Sequence, residues 1–162
     1  MKKILPGIFC LSFVALLMGG CKVKDKNPET KNTIASPKQN KAWLLAGDEY
    51  KAWAVESFTV NGLDQLKDMK ACQLDNVDVY FRNLSLESHE GASRCHDKDP
   101  DIFSRGKWSF NADSSAIEIK LGSNLLQLDI VELTKNRFHY RSEVKSQITE
   151  AVLVATDYKP AN

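Results

Sequence analysis

The chain lacks most of what an enzyme is recognised by. Its 162 residues include only three histidines and four cysteines, and contain no G-x-S-x-G, P-loop, G-x-G-x-x-G or H-E-x-x-H segment. The nucleophile elbow, phosphate cradle, dinucleotide turn and zincin helix therefore have no residues to build them. An excess of charge of one sign is missing too. With 22 basic and 21 acidic residues, no long-range field draws the chain to nucleic acid. Eight glycines and five prolines are too few for a low-complexity or collagen-like chain. The longest apolar run, residues 8–18, falls short of the ~20 residues that span a bilayer as a helix. What is present is the composition of one globular domain, 43% hydrophobic and 27% charged, for which we expect no enzymatic activity, no cofactor and no nucleic-acid partner.

The N-terminus carries an address. Met1-Lys2-Lys3 supplies a positive start, residues 8–18 an apolar stretch, and Gly19-Gly20 two minimal side chains before Cys21. This is the layout of a secretory signal peptide over residues 1–20. The Leu17-Met18-Gly19-Gly20-Cys21 segment resembles the lipobox of bacterial lipoproteins, which implies lipidation of Cys21 and attachment to a membrane of the bacterial envelope, the outer membrane being the expected one. Three acyl chains of the palmitate type, at about 0.8 kcal/mol per buried methylene, make such an anchor effectively permanent.

Cleavage would remove Lys2, Lys3 and Cys10, and lipid would occupy Cys21. Two cysteines, Cys72 and Cys95, then remain. An oxidising compartment favours joining them, and the closed loop would stabilise the fold by about 3.5 kcal/mol on the chain-entropy estimate. The alternatives are two free thiols or half of a zinc site, although the intervening stretch contains no C-x-x-C knuckle.

Residues 21–42 read as the lipidated cysteine followed by a flexible tether. The stretch 22–41 has six lysines, two prolines and no aromatic residue, so it cannot bury enough surface to fold. Its r.m.s. span as a coil is about 25 Å. The folded domain is expected over residues 43–162.

Within that domain the apolar residues recur with period two. Val77, Val79 and Phe81 alternate with Asp78 and Tyr80; Leu84 and Leu86 flank Ser85; Trp108 and Phe110 flank Ser109. The same alternation runs through Ile117, Ile119 and Leu121, then Leu126, Leu128 and Ile130, then Phe138 and Tyr140. Such runs are half-buried strands, with the larger apolar set of each facing the core. Turn residues separate them at Glu90-Gly91, Asn111-Ala112-Asp113, Gly122-Ser123-Asn124 and Thr134-Lys135-Asn136. Strands over residues 50–60 and 148–158 bring the total to about eight, the number at which an antiparallel up-and-down sheet can close on itself. One short helical segment is expected within residues 63–74, where Leu63, Leu66 and Leu74 can share a face.

The run Ala71-Cys72-Gln73-Leu74-Asp75-Asn76, then Gly91, Cys95, Gly106-Lys107-Trp108-Ser109-Phe110, Ile117, Ile119, Leu128-Asp129-Ile130-Val131-Glu132-Leu133 and Phe138 resembles the lipocalin-like domain of small Bacteroidota lipoproteins. The resemblance spans roughly residues 43–158. It implies an eight-stranded calycin-type barrel, a Cys72–Cys95 disulfide and a small apolar ligand.

Inside an eight-stranded barrel there is room either for side chains alone or for one small ligand. Candidate cavity residues are Trp53, Phe81, Trp108, Phe110, Phe138 and Tyr140. The three histidines, His89, His96 and His139, fall in different elements and read as surface or hairpin positions. In the stretch 95–101, Asp97, Asp99 and Asp101 sit at alternate positions like the opening of a calcium loop. Ile102 and Trp108 then stand where that loop needs Gly and Glu, so a solvated loop is expected, with at most a weak cation site completed by Asp75 or Asp78. The function expected is binding of a small hydrophobic or amphipathic molecule by an envelope-anchored barrel. The alternative is a lipoprotein that presents its loops to a protein partner, as an inhibitor or an assembly accessory.

Overall fold

The computed structural model describes residues 40–160; the expected signal peptide, Cys21 and nearly all of the expected tether lie outside them. The chain opens with a short helix, α1 (Lys41–Ala46), capped by the Asn40 side chain, which accepts from the Ala42 N–H at 2.8 Å. It stops at Gly47, whose φ of 65° returns its N–H to the Trp43 carbonyl. Strands β1 (Tyr50–Val60) and β2 (Leu63–Asp64) follow, then a 3-10 turn (Leu66–Asp68) and a second short helix, α2 (Ala71–Leu74). The rest is a run of strands: β3 (Val77–Phe81), β4 (Ser85–His89), β5 (Ile102–Phe110), β6 (Ala116–Leu121), β7 (Asn124–Leu133), β8 (Arg137–Val144) and β9 (Gln147–Thr156).

Every neighbouring pair is antiparallel, and β9 returns to pair with β1. Apart from the two-residue β2, which extends the edge of β1, eight strands close an up-and-down barrel with the lipocalin-like architecture expected. Closure removes the open sheet edge that would otherwise pair with other chains. The expected helical segment resolves into two pieces, the 3-10 turn and α2, while α1 adds a helix that alternation of apolar residues could not announce.

The two ends of the barrel differ. At one end are the short connections 82–84, 111–115 and 134–136, together with α1, which buries Leu45 and Ala46 completely. The Trp53 indole, on β1, donates to the Leu45 carbonyl at 2.8 Å and fixes the helix as a plug. At the other end lie the long segments 61–76 and 90–101. The expected tight turn at Glu90-Gly91 is instead the start of that second long loop, and β5 resumes only at Ile102. A Cys72–Cys95 disulfide, with Cα atoms 5.2 Å apart, joins the two loops. They also pack closely, for a Cβ at Gly91 would lie 2.2 Å from the Asp75 carbonyl oxygen.

The core fills the plugged half. Trp53, Tyr80, Leu86, Trp108, Ile117, Ile119, Leu128, Phe138 and Leu153 are buried together. Tyr80 meets both Trp108 and Phe138 edge to face, with centroids 6.0 and 6.3 Å away. Burying side chains of this size contributes about 1.5–3 kcal/mol apiece.

On β3 the faces are the reverse of those the pattern suggests. Asp78 and Tyr80 point into the barrel, whereas Val77 and Val79 pack outside with Ala52, Tyr50, Ala54, Phe81 and Tyr158. The physical reason is a second layer. The chain after β9 lays Tyr158 over the outside of β1 and β3, so those strands are buried on both faces and their larger apolar run is not the inner one.

Candidate functional site

Beyond the aromatic core, towards the disulfide-joined end, the barrel holds a cavity of about 260 Å³. Its walls include Trp53, Val55 and Phe58 of β1, Asp78 of β3, Ser88 of β4, Phe103 of β5, Tyr140 of β8, and Ala151 and Leu153 of β9. Met69, Gln73 and Asn76 from the long 61–76 segment complete it as a roof. The cavity exists because β3 is short. It pairs with β1 only as far as Ala54, so the outer half of β1 is flanked on that side by the 61–76 segment rather than by a full strand.

Register explains which side chains meet. Trp53 stands opposite Asp78 on β3, and Asp78 opposite Ser88 on β4, forming one row across three strands with cross-strand Cβ atoms about 5 Å apart. Ala151 stands between Tyr140 on β8 and Phe58 on β1, forming a second row in which the small alanine leaves the space its aromatic neighbours border. Bulges at the Val55/Ser57 step of the β1–β9 pairing and the Ser88/His89 step of the β4–β5 pairing shift the alternation. They place Phe58 and Phe103 at the cavity rather than on the opposite face.

The polar group of the site is Asp78. Its Oδ1 accepts from the Ser88 hydroxyl at 2.7 Å. Burial pushes the carboxyl above its ordinary value, partly offset by the Ser88 hydrogen bond and the nearby His89. Burial, and then the Asp78 charge, push the Tyr140 phenol up to about 12. Among the described residues, Asp78 is the one charged side chain that lines the cavity. Two positions further along β8 from Tyr140, on the same face, Ser142 is buried with its hydroxyl unpartnered among the described residues.

Of the six residues proposed from the sequence as cavity candidates, Trp53 and Tyr140 line it. Trp108, Phe110 and Phe138 face inward but belong to the packed aromatic half. Phe81 lies on the outer face against Tyr50, at 5.9 Å between centroids. Sequence reading placed Asp78 only in a weak cation site, not in the cavity, and missed Ser88, Phe58, Met69 and Phe103. The detectable signal was Asp78, a carboxylate at an alternate position of a short apolar strand.

The other polar candidates have local partners. Asp99 accepts from the His96 N–H at 2.9 Å, Asp101 pairs with Arg94, and Asp75 accepts from the Ser93 N–H at 2.8 Å. Among the described residues no three metal-ligating side chains converge. His89 is a buried residue rather than a surface one, 1% exposed, with Nε2 3.0 Å from Glu87 and Nδ1 3.1 Å from the Tyr158 hydroxyl. His139 faces Glu150 on the barrel surface.

No protein-family model matches the chain, and no curated protein matches it in sequence.

Proposed function

We propose that the protein is a non-enzymatic binding protein that holds a small amphipathic molecule in the roofed half of its barrel. The observation that carries this reading is the cavity itself. One half of the interior is filled by interlocking aromatic rings, while the other leaves about 260 Å³ between apolar walls and a few polar groups. At about 30 Å³ per water that volume matches some nine waters, so the ligand is small or enters by one end only. Apolar walls supply affinity and the convergent polar groups fix orientation, the usual division of labour in such sites.

The N-terminal pattern supports placing this binding function at a bacterial envelope membrane, with the barrel tethered through a lipidated Cys21. The two long loops joined by the disulfide support a site whose roof keeps its shape outside the reducing cytosol.

The test is native mass spectrometry of the full chain carrying Cys21→Ser after incubation with an envelope lipid extract. A reproducible small-molecule adduct is expected. Ala151→Leu, which extends a side chain into the cavity between Tyr140 and Phe58, should remove that adduct. A bare mass, or an adduct indifferent to Ala151→Leu, would refute the reading.

A further inference from the structure

A barrel that bound only hydrocarbon would have no use for a carboxylate in its wall. Asp78 occupies an inward position, directly across from the Trp53 indole, and among the described residues no lysine, arginine or histidine lines the cavity with it. Its one hydrogen bond among the described residues comes from the Ser88 hydroxyl, to Oδ1, so Oδ2 has no donor from the protein there. The remaining walls near it include the faces or edges of Phe58, Phe103 and Tyr140.

We infer that the cavity takes an organic ammonium with an apolar body, its cationic head against Asp78 and its body along the Trp53 and Phe58 side of the cavity. This deepens, and rests on, the binding function proposed above. The chemistry follows from what the walls offer. An ammonium donates to the unoccupied carboxylate oxygen, a charge-assisted bond stronger than a neutral one, and aromatic rings attract the same charge through their quadrupoles. A carboxylate ligand would meet like charge in a partly desolvated site, and a neutral alcohol would leave the Asp78 charge uncompensated. That burial holds the carboxyl above its ordinary value despite the Ser88 hydrogen bond and the nearby His89 fits a group whose ionised form a cationic ligand would stabilise further.

The experiment compares three ligands of equal chain length, hexylammonium, hexanol and hexanoate. Each is titrated by tryptophan fluorescence into the full chain carrying Cys21→Ser in dodecyl maltoside, with empty micelles as blank. Hexylammonium is expected to bind saturably and at least tenfold more tightly than either other ligand, and Asp78→Asn to remove that preference while leaving the melting transition cooperative. Equal or tighter binding of hexanol or hexanoate by the unsubstituted cavity would overturn the ammonium assignment and leave the binding function standing. Saturable binding of none of the three would overturn the ammonium assignment, while the lipid-extract adduct test decides the binding function separately. Adding phosphatidylethanolamine to the micelles distinguishes the source of the head group. Displacement of hexylammonium assigns a lipid amine and its absence a free one, both being ammonium ligands.

Discussion

The Tyr158 hydroxyl lies 3.1 Å from Nδ1 of His89, and the two rings meet edge to face at 5.4 Å. The Glu87 carboxylate, which can only accept, takes the Nε2–H of His89, and the Tyr158 hydroxyl closes the other side of the ring at Nδ1. The contact ties the chain after β9 across the outside of β3 and β4, over Ala52, Val77 and Val79. It thus converts a half-exposed wall of the barrel into a doubly buried one, and that wall carries Asp78 on its inner side.

Tyr158→Phe tests the strap. It deletes the hydroxyl and leaves the ring, so the loss should be that of one hydrogen bond to a buried ring nitrogen, about 1 kcal/mol. For a domain of this size that is a fall of several degrees in melting temperature. Tyr158→Ala should lower it further, because the apolar cover is lost as well. Thermal melts of the three proteins give the order; equal melting of Tyr158→Phe and the parent would show that the hydroxyl does not hold the strap.

Reduction of the Cys72–Cys95 bridge should act on the roof and not on the wall. The bridge spans two loops outside the strand ladder, so Cys72→Ser is expected to destabilise by about 3 kcal/mol with unchanged strand content in far-UV circular dichroism. Identical melting with and without reductant would contradict this.

Lys145 and Ser146 form a two-residue hairpin loop between β8 and β9 with both φ values positive, 50° and 64°. That geometry is the one Asn-Gly favours in tight hairpins, and neither native residue is suited to it. Replacing the pair by Asn-Gly should stabilise the protein by about 1 kcal/mol, read as a higher denaturation midpoint at unchanged slope. No gain would mean that contacts of the native side chains outweigh the backbone relief.

Alternation made the barrel legible. The runs at Ile117/Ile119/Leu121, Leu126/Leu128/Ile130 and Phe138/Tyr140 each face the core on the side their apolar residues indicate, because each has water on its other face. The same rule failed at Val77, Val79 and Phe81, where Tyr158, nearly 80 residues away in sequence, covers the outer face. It failed also for Phe58 and Phe103, whose orientation depends on bulges that no residue type announces. The Lys145-Ser146 turn has none of the Gly, Asn or Asp that a two-residue hairpin loop favours. What the sequence could not order was which of several inward aromatics fill the barrel and which border a space, since that depends on the shortness of β3 and the small side chain of Ala151.

The proposed lipid anchor rests on the Gly19-Gly20-Cys21 segment and is tested apart from the barrel. Cells fed an alkyne-labelled palmitate should incorporate it into the parent chain and not into Cys21→Ser. Mass spectrometry of the N-terminal peptide should show a lipidated Cys21 as the first residue. Labelling that persists in Cys21→Ser would refute the assignment of the anchor to that residue.

Asp78 links the site to stability. Burial raises its folded-state pKa above the ordinary 3.8, so the folded protein holds the proton more tightly than the unfolded chain does. Between 3.8 and the raised value the native state therefore carries more protons, and stability falls as pH rises through that window. Above it the full cost of an ionised, desolvated carboxylate is present; below 3.8 both states are protonated and the cost vanishes. Asp78→Asn keeps the acceptor for Ser88 and removes the charge. It should melt higher than the parent at neutral pH, and the gap should close as the pH is lowered below 4. Hexylammonium at saturation should narrow the same gap at neutral pH by supplying a cation to the carboxylate of the parent alone. A variant that melts lower than the parent at every pH would mean that the carboxylate serves the fold, and its place in the cavity wall would then be structural.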